Sequence, residues 1–476
     1  MTFRLVLAAA LAAAALPAFA SGLPAPLREL GRAAGIPEEA IAIVVQRASD
    51  GATLASHNAD RSLQPASTLK LLTSLAGLEI LGPGYRGSTE FRARAEPVDG
   101  VLDGNLVLKG LADVDLDTAA FERMLVALRT RGVREIRGDV VLDRTFFDPA
   151  RTDVGVPPFD EAPEFRYNLI PDALMLGSNL MRLEIAADEK TLRVGLGTPL
   201  EGVVVTAEGM RLTDKPCDDW EDFWKLPVVK ETAGVIHVRL QGEFPRRCAA
   251  STEINVIERT VYAERLFRAL WARHGGTLRG KVRDGVGAEE TVVLASHRSR
   301  PFYQVVDDIN KRSDNPITRM TYLTLGALPP YGPALPTAQR SERFVRDWMK
   351  QHSIDDEGLV LENGSGLSRK ERIKASQLAA VLRAAASSVW AAEFAASLPI
   401  VGIDGSMRTR LRGVSIGEGT RFKTGTLRDT SAVAGYLRTA SGESRIVVVV
   451  VNHERATKGV ARPLIDSIVE WATTLK

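Results

Sequence analysis

Histidine and cysteine are scarce in this chain, with six and two among 476 residues. The histidines, at positions 57, 237, 274, 297, 352 and 453, show no ligand spacing, so the sequence offers no metal centre and calls for no cofactor. An excess of charge of one sign is missing too. The 61 Lys plus Arg nearly cancel the 59 Asp plus Glu, and no basic block with interleaved aromatics occurs. Nucleic-acid binding therefore has no electrostatic footing. Beyond the first residues there is no long hydrophobic run. The stretch Val460 to Trp471 carries Arg462, Asp466 and Glu470, which makes it an amphipathic helix. Neither a membrane span nor a tight surface anchor is expected.

The chain does open with a short apolar run. Arg4 precedes Leu5 to Leu16, almost all Leu, Val and Ala, and Ala18-Phe19-Ala20 follows. A dozen or so residues fall short of the roughly 20 that a bilayer span needs. The pattern predicts a secretory signal over residues 1–20, cleaved after Ala20, and hence a periplasmic protein. In an oxidising compartment the two cysteines, Cys217 and Cys248, are expected to form one disulfide.

At this length two or three domains are the natural expectation. Ile41 to Val45 reads as a buried strand before the turn Asp50-Gly51, and a helix is expected from about Ser67, ending at Gly82-Pro83-Gly84. From about Phe91 to His297 the texture changes to short alternating segments with two helical stretches, the mark of β-rich accessory domains. The Pro- and Asp-rich stretch 148–171 reads as a long ordered loop, because it also holds Phe159, Phe165 and Tyr167. The final third returns to helices and closes on two apolar runs, Ser431 to Thr439 and Arg445 to Val451, read as a central hairpin.

Ser67-Thr68-Leu69-Lys70 sets a hydroxyl and an amine three residues apart at a helix start, on one face, so a nucleophile stands beside a base. A serine hydroxyl attacks only when something takes its proton, and a lysine can do so when desolvation lowers its pKa. Alone, Ser-x-x-Lys recurs by chance and fits an N-cap serine with a solvated lysine. Two more matches follow in order, Ser313-Asp314-Asn315 and Lys423-Thr424-Gly425-Thr426. The trio is the signature of penicillin-binding proteins and class A β-lactamases.

Each part has a chemical task. Ser313 offers a hydroxyl that relays a proton towards the leaving amine, and Asn315 holds Lys70 and the substrate amide in register. Lys423, a cation on a strand edge, together with Thr424 and Thr426 suits a terminal carboxylate. Gly425 lets substrate approach the backbone, and the N–H groups of Ser67 and Thr426 make an oxyanion hole. Gly413-Val414-Ser415-Ile416-Gly417 also matches a nucleophile-elbow pattern, but it sits between charged stretches rather than between a strand and a helix.

With these motifs the chain resembles the class C low-molecular-mass penicillin-binding proteins, the D-alanyl-D-alanine carboxypeptidases that also act as endopeptidases. Two features sharpen the likeness: about 240 residues separate Lys70 from Ser313, and Glu362-Asn363-Gly364-Ser365-Gly366-Leu367-Ser368-Arg369 is close to the family's Asp-Gly-Ser-Gly-Leu-Ser-Arg. The resemblance implies an α/β fold, a transpeptidase/β-lactamase-like domain whose antiparallel sheet is covered by helices, with two β-rich domains inserted between the first and second motifs. With that arrangement the main domain is expected at 21–88 and 298–476, the accessory domain at 89–150 and 251–297, and a nested domain at 151–250, in agreement with the change of texture between about Phe91 and His297. The resemblance also implies peptidoglycan stem peptides as substrates and β-lactams as covalent inhibitors. Asp160, Phe165 and Arg369 match positions that read the stem, while Arg428 and Glu362 depart from the usual residues. The competing readings are a peptidoglycan-binding or sensor protein that keeps the fold, and a β-lactamase, for which no dedicated deacylating carboxylate is identifiable.

Overall fold

Ile41–Arg47 opens with five consecutive buried residues, the pattern of a strand covered on both faces. It pairs antiparallel with Ser444–Asn452, in the register Ile41 to Val451. In this computed structural model, which describes residues 20–160, 162–332, 334–456 and 459–476, that pair is the centre of a six-stranded sheet. Its order is Ala20–Ser21, Thr53–His57, Ile41–Arg47, Ser444–Asn452, Thr430–Arg438 and Arg421–Leu427. The expected leader lies outside the described residues apart from Ala20.

Side chains alternate across this sheet with the two-residue period of a strand. Ala42, Val44, Val448 and Val450 face one core with Leu71, Leu72 and Leu75, and Ile41, Ile43, Val447 and Val449 face another with Leu464, Ile465 and Ile468 of the last helix. The helix Lys70–Ile80 is buried from Lys70 to Leu78, so every side must be covered. Helices Phe302–Asn310, Asn315–Ala327 and Ala375–Ser387 supply that cover. A Cβ on Gly77 would stand 2.6 Å from the Phe302 ring, so that packing needs glycine there.

The residues between Lys70 and Ser313 build sheets of their own. Val282–Asp284, Val140–Asp143, Leu106–Leu111, Ser88–Ala93 and Val292–Arg298 form a five-stranded sheet. It packs with helices Thr118–Thr130 and Arg259–Arg273 around Phe91, Phe121 and Phe267. Two three-stranded sheets follow inside it, Leu192–Leu196 with Met181–Ala187 and Ala249–Ile254, and Val203–Thr213 with Val235–Pro245 and Trp224–Thr232. The stretch 148–171 runs back from these sheets to the main domain, where the backbone N–H of Asp148 donates to the Thr337 hydroxyl at 2.8 Å. No helix among the described residues is long and apolar enough to cross a membrane.

Cys217 and Cys248 form the disulfide. The bond ties the helical turn Cys217–Phe223, whose Trp220 packs on Trp224 and Phe244, to the start of strand Ala249–Ile254. It closes a loop of 31 residues, for which chain entropy gives about 3–4 kcal/mol. A Cys217→Ser/Cys248→Ser protein is therefore expected to melt on the order of 10 °C lower while acylating at the parental rate at a temperature where it stays folded. A parental melting temperature, or slow acylation in the folded variant, would count against a purely structural staple.

Candidate active site

Ser67 sits in the short 3-10 turn Ala66–Leu69 that leads directly into the helix beginning at Lys70. The preceding Ala66 has φ 46°, left-handed backbone that an alanine adopts only when its surroundings enforce it. Those surroundings are two glycines. A Cβ on Gly366 would lie 1.8 Å from the Ala66 carbonyl oxygen, and one on Gly425 would lie 2.7 Å from the Pro65 carbonyl oxygen and 3.1 Å from the Ser67 nitrogen. The edge strand and the 362–369 loop thus press on the serine turn from two sides because both lack a side chain there.

Lys70 is fully buried. Its Nζ donates to Ser67 Oγ at 3.0 Å, Asn315 Oδ1 at 2.6 Å and the Ser365 carbonyl at 2.5 Å. Burial pulls its pKa down to about 7, against the opposing pull of Glu371 and Asp314, so near neutral pH a large share of this amine is unprotonated. Ser313 has φ 61°, a strained conformation worth about 1–3 kcal/mol and typical of functional positions. Its hydroxyl accepts from Lys423 Nζ at 2.9 Å, and Lys423 also donates to the Thr424 carbonyl at 2.8 Å. The strand Arg421–Leu427 is at the sheet edge as expected, but Lys423 itself is fully buried, and burial together with the nearby Lys70 holds its pKa well below the ordinary lysine value. Thr424 Oγ1 donates to Ser406 Oγ at 2.7 Å.

Asn315 also donates from Nδ2 to the Tyr167 carbonyl at 3.0 Å, and Asp314, which caps helix Asn315–Ala327, accepts from Arg166 Nε at 3.0 Å. The second motif therefore grips the 148–171 stretch and holds it over the cleft. A cavity of about 350 Å³ results, lined by Ser67, Ser313, Asn315 and Thr426 together with Phe159, Asp160, Tyr167, Arg369 and Arg428.

Asp160 accepts from Tyr167 Oη at 2.6 Å, Asn168 Nδ2 at 2.6 Å and the Ala162 N–H at 3.0 Å. Burial alone would raise its pKa, but these donors and the nearby Arg369 bring it below the usual value. Arg369 stacks on the Phe159 ring, 5.4 Å from its centroid. Phe165, the aromatic singled out in the sequence, does not line this cavity; its backbone bridges to Ile254. Its neighbours Phe159 and Tyr167 are at the cleft instead. Ser415 lies exposed in a loop outside any strand-to-helix turn.

Glu371 was not legible as a site residue. It is fully buried and accepts backbone N–H groups from Glu362 at 3.2 Å, Asn363 at 2.9 Å, Gly364 at 2.8 Å and Gly366 at 2.9 Å. It therefore shapes the loop whose Ser365 carbonyl meets Lys70 and whose Gly366 abuts Ser67. Burial raises its pKa despite these four donors. Its negative charge in turn raises that of Lys70, so Glu371→Gln is expected to lower the Lys70 pKa and move the acidic limb of the acylation profile to lower pH. The rate should also fall about tenfold, because one amide oxygen replaces two acceptors. A slower variant with an unmoved limb would show that Glu371 acts on the loop alone.

Residues 27–475 match the D-Ala-D-Ala carboxypeptidase 3 (S13) family, and the chain belongs to that family of serine-type carboxypeptidases. The likeness to class C penicillin-binding proteins holds. Among individual relatives, the chain is 28% identical over 424 residues to the D-alanyl-D-alanine carboxypeptidase of Actinomadura sp. (strain R39), covering 86% of this chain and 77% of that one. Its fold is similar to that of penicillin-binding protein 4 (dacB) from Haemophilus influenzae, with a TM-score of 0.75 at 21% identity over 94% of this chain and 98% of the other. A predatory peptidoglycan endopeptidase from Bdellovibrio bacteriovorus shares the fold at a TM-score of 0.50 and 16% identity, over 91% and 92% of the two chains.

Proposed function

We propose that this carboxypeptidase acts through an acyl-enzyme on Ser67, with neutral Lys70 as general base. The carrying observation is the Lys70 amine, sealed from water and 3.0 Å from Ser67 Oγ. Ser67 Oγ attacks the carbonyl carbon of the penultimate D-alanine as Lys70 takes its proton. The N–H groups of Ser67 and Thr426 receive the developing oxyanion. The tetrahedral intermediate collapses with cleavage of the C–N bond, and the leaving amine collects a proton from Lys70 by way of Ser313. Water then hydrolyses the ester and frees Ser67. Lys423 is the cation offered to the terminal carboxylate, and that anion supplies a counter-charge that favours the protonated amine.

The wall made by Asp160, Tyr167, Phe159 and Arg369 offers paired charges and aromatic faces to the side chain of the stem residue before the scissile bond. The same chemistry cuts a D-alanyl bond to diaminopimelate in a cross-link, so endopeptidase action belongs to this reading, as does covalent trapping by β-lactams; a related structure is described as complexed with a β-lactam. A purely binding or sensing role is not favoured, since the chain belongs to a family of carboxypeptidases and keeps residues suited to nucleophile, base, relay and carboxylate anchor. Arg4 ahead of the apolar run Leu5 to Leu16, the small-x-small end Ala18-Phe19-Ala20 and the single disulfide favour export to the periplasm, with 89–150 and 251–297 as one accessory unit and 151–250 nested within it.

Purified protein incubated with cross-linked muropeptides should release free D-alanine and separated stems, seen by mass spectrometry. Unchanged muropeptides would reject the assignment.

A further inference from the structure

A cavity of about 680 Å³ lies beside the catalytic cleft rather than in it. The two share Phe159, Leu367 and Arg369 as a common wall. The second cavity runs on between the 148–171 stretch and the helix Asn315–Ala327, away from Ser67, and the catalytic motifs contribute nothing to it.

Its charges are mostly neutralised. Arg151 pairs with Asp153 and Glu258, Arg259 with Asp172, and Lys370 with Glu362. The Glu362 carboxylate is further engaged by the Ser368 hydroxyl. Arg369 makes no ion pair among the described residues but is stacked on Phe159. Arg319 is different. It lies on the cavity wall, makes no ion pair among the described residues, and uses its five donors for one bond of 3.3 Å, to the Leu169 carbonyl. Burial lowers its pKa to about 10, so it stays charged at neutral pH. Glu371 and Glu362 act on this charge from a distance, outside ion-pair contact, and most of its donors are left for an anion that enters the cavity.

We propose that this cavity is an extended subsite that takes an acidic stretch of the acyl-donor peptide, with a peptide carboxylate on the Arg319 guanidinium. The inference rests on the acyl-enzyme reading above, and it adds a substrate requirement remote from the scissile bond. The occupant reaches it past Phe159 and Arg369, the stacked pair that both cavities touch. Arg319 is not among the residues that line the 350 Å³ cleft, so a small β-lactam held there is expected to leave it untouched.

The test compares two acyl-donor peptides that share the D-alanyl-D-alanine end, one with its upstream carboxylate free and one with it amidated. Benzylpenicillin acylation serves as the control. In the parent the free-carboxylate peptide should show a KM about ten times lower, the fold-change of one charge-assisted hydrogen-bonded contact. Arg319→Gln should erase that difference by raising KM for the free peptide alone. Because the Arg319 charge also helps to lower the Lys70 pKa, kcat and penicillin acylation are compared on the alkaline plateau of the profile, where they should be unchanged. Leu323→Glu is a second variant that keeps the guanidinium. Leu323 also lines the cavity one helical turn on, where a carboxylate would occupy Arg319 from within. The same loss of discrimination is expected of it.

Equal KM values for the two peptides in the parent would overturn the proposal, whatever the variants do. So would an Arg319→Gln protein that still discriminates. Failure of penicillin to acylate the parent would instead refute the acyl-enzyme reading beneath it.

Discussion

Ser67→Ala should bring hydrolysis of a D-alanyl-D-alanine peptide down to background, a loss on the order of 10⁴–10⁶ in kcat. The reason is positional. The Ser67 hydroxyl accepts from the Lys70 amine, and Gly366 and Gly425 leave room for backbone alone around the turn that presents it. Ser313 cannot substitute, because its hydroxyl is tied to Lys423 and its own backbone is held in the left-handed region. The fold should survive, since the alanine removes one hydroxyl from a turn fixed by its neighbours. Steady-state hydrolysis measured beside a melting curve checks both halves. Residual turnover within about a hundredfold of the parent would move the nucleophile elsewhere.

Lys70→Arg should be nearly as damaging, with acylation slowed about 10³-fold or more, near the upper range for loss of a general base. An arginine keeps the charge but cannot give up its proton at working pH. The parent carries the complementary signature. With the Lys70 pKa lowered to about 7 by burial, the competent neutral amine accumulates as pH rises, so the acylation rate should climb through about pH 7 and level off above it. The limb belongs to the amine, so it should be missing from whatever slow acylation Lys70→Arg retains. Near-parental acylation by the arginine variant would mean that Lys70 supplies charge only.

The three motifs were legible because each places reactive groups at short sequence spacing with a structural setting that can be read beside it. Ser67 and Lys70 fall at a helix start, Asn315 starts another helix after its Asp314 cap, and Lys423 lies on a strand just before a hairpin. The central hairpin was legible for a similar reason: eight consecutive residues from Arg445 to Asn452 include six Val or Ile, a run that suits a doubly covered strand.

The wall of the cleft was harder. In the 148–171 stretch the choice among Phe159, Phe165 and Tyr167 depends on the path of a loop held by Asn315, Asp314 and Thr337, contacts of about 150 residues or more in sequence separation. Nothing local distinguishes the three aromatics. Glu371 stands between Lys370 and Arg372, so its sequence context is that of a solvated charge; only the folded loop turns four N–H groups towards it. Arg319 was hidden likewise, one charge on a helix whose neighbours are set by the inserted residues.

One measurement bears most directly on the acyl-enzyme: peptide mapping by mass spectrometry after brief incubation of the parent protein with benzylpenicillin. A single adduct with the mass of the intact inhibitor, on the peptide that contains Ser67, is the expected result. An adduct on Ser313 or Ser415, or no adduct at all, would contradict it.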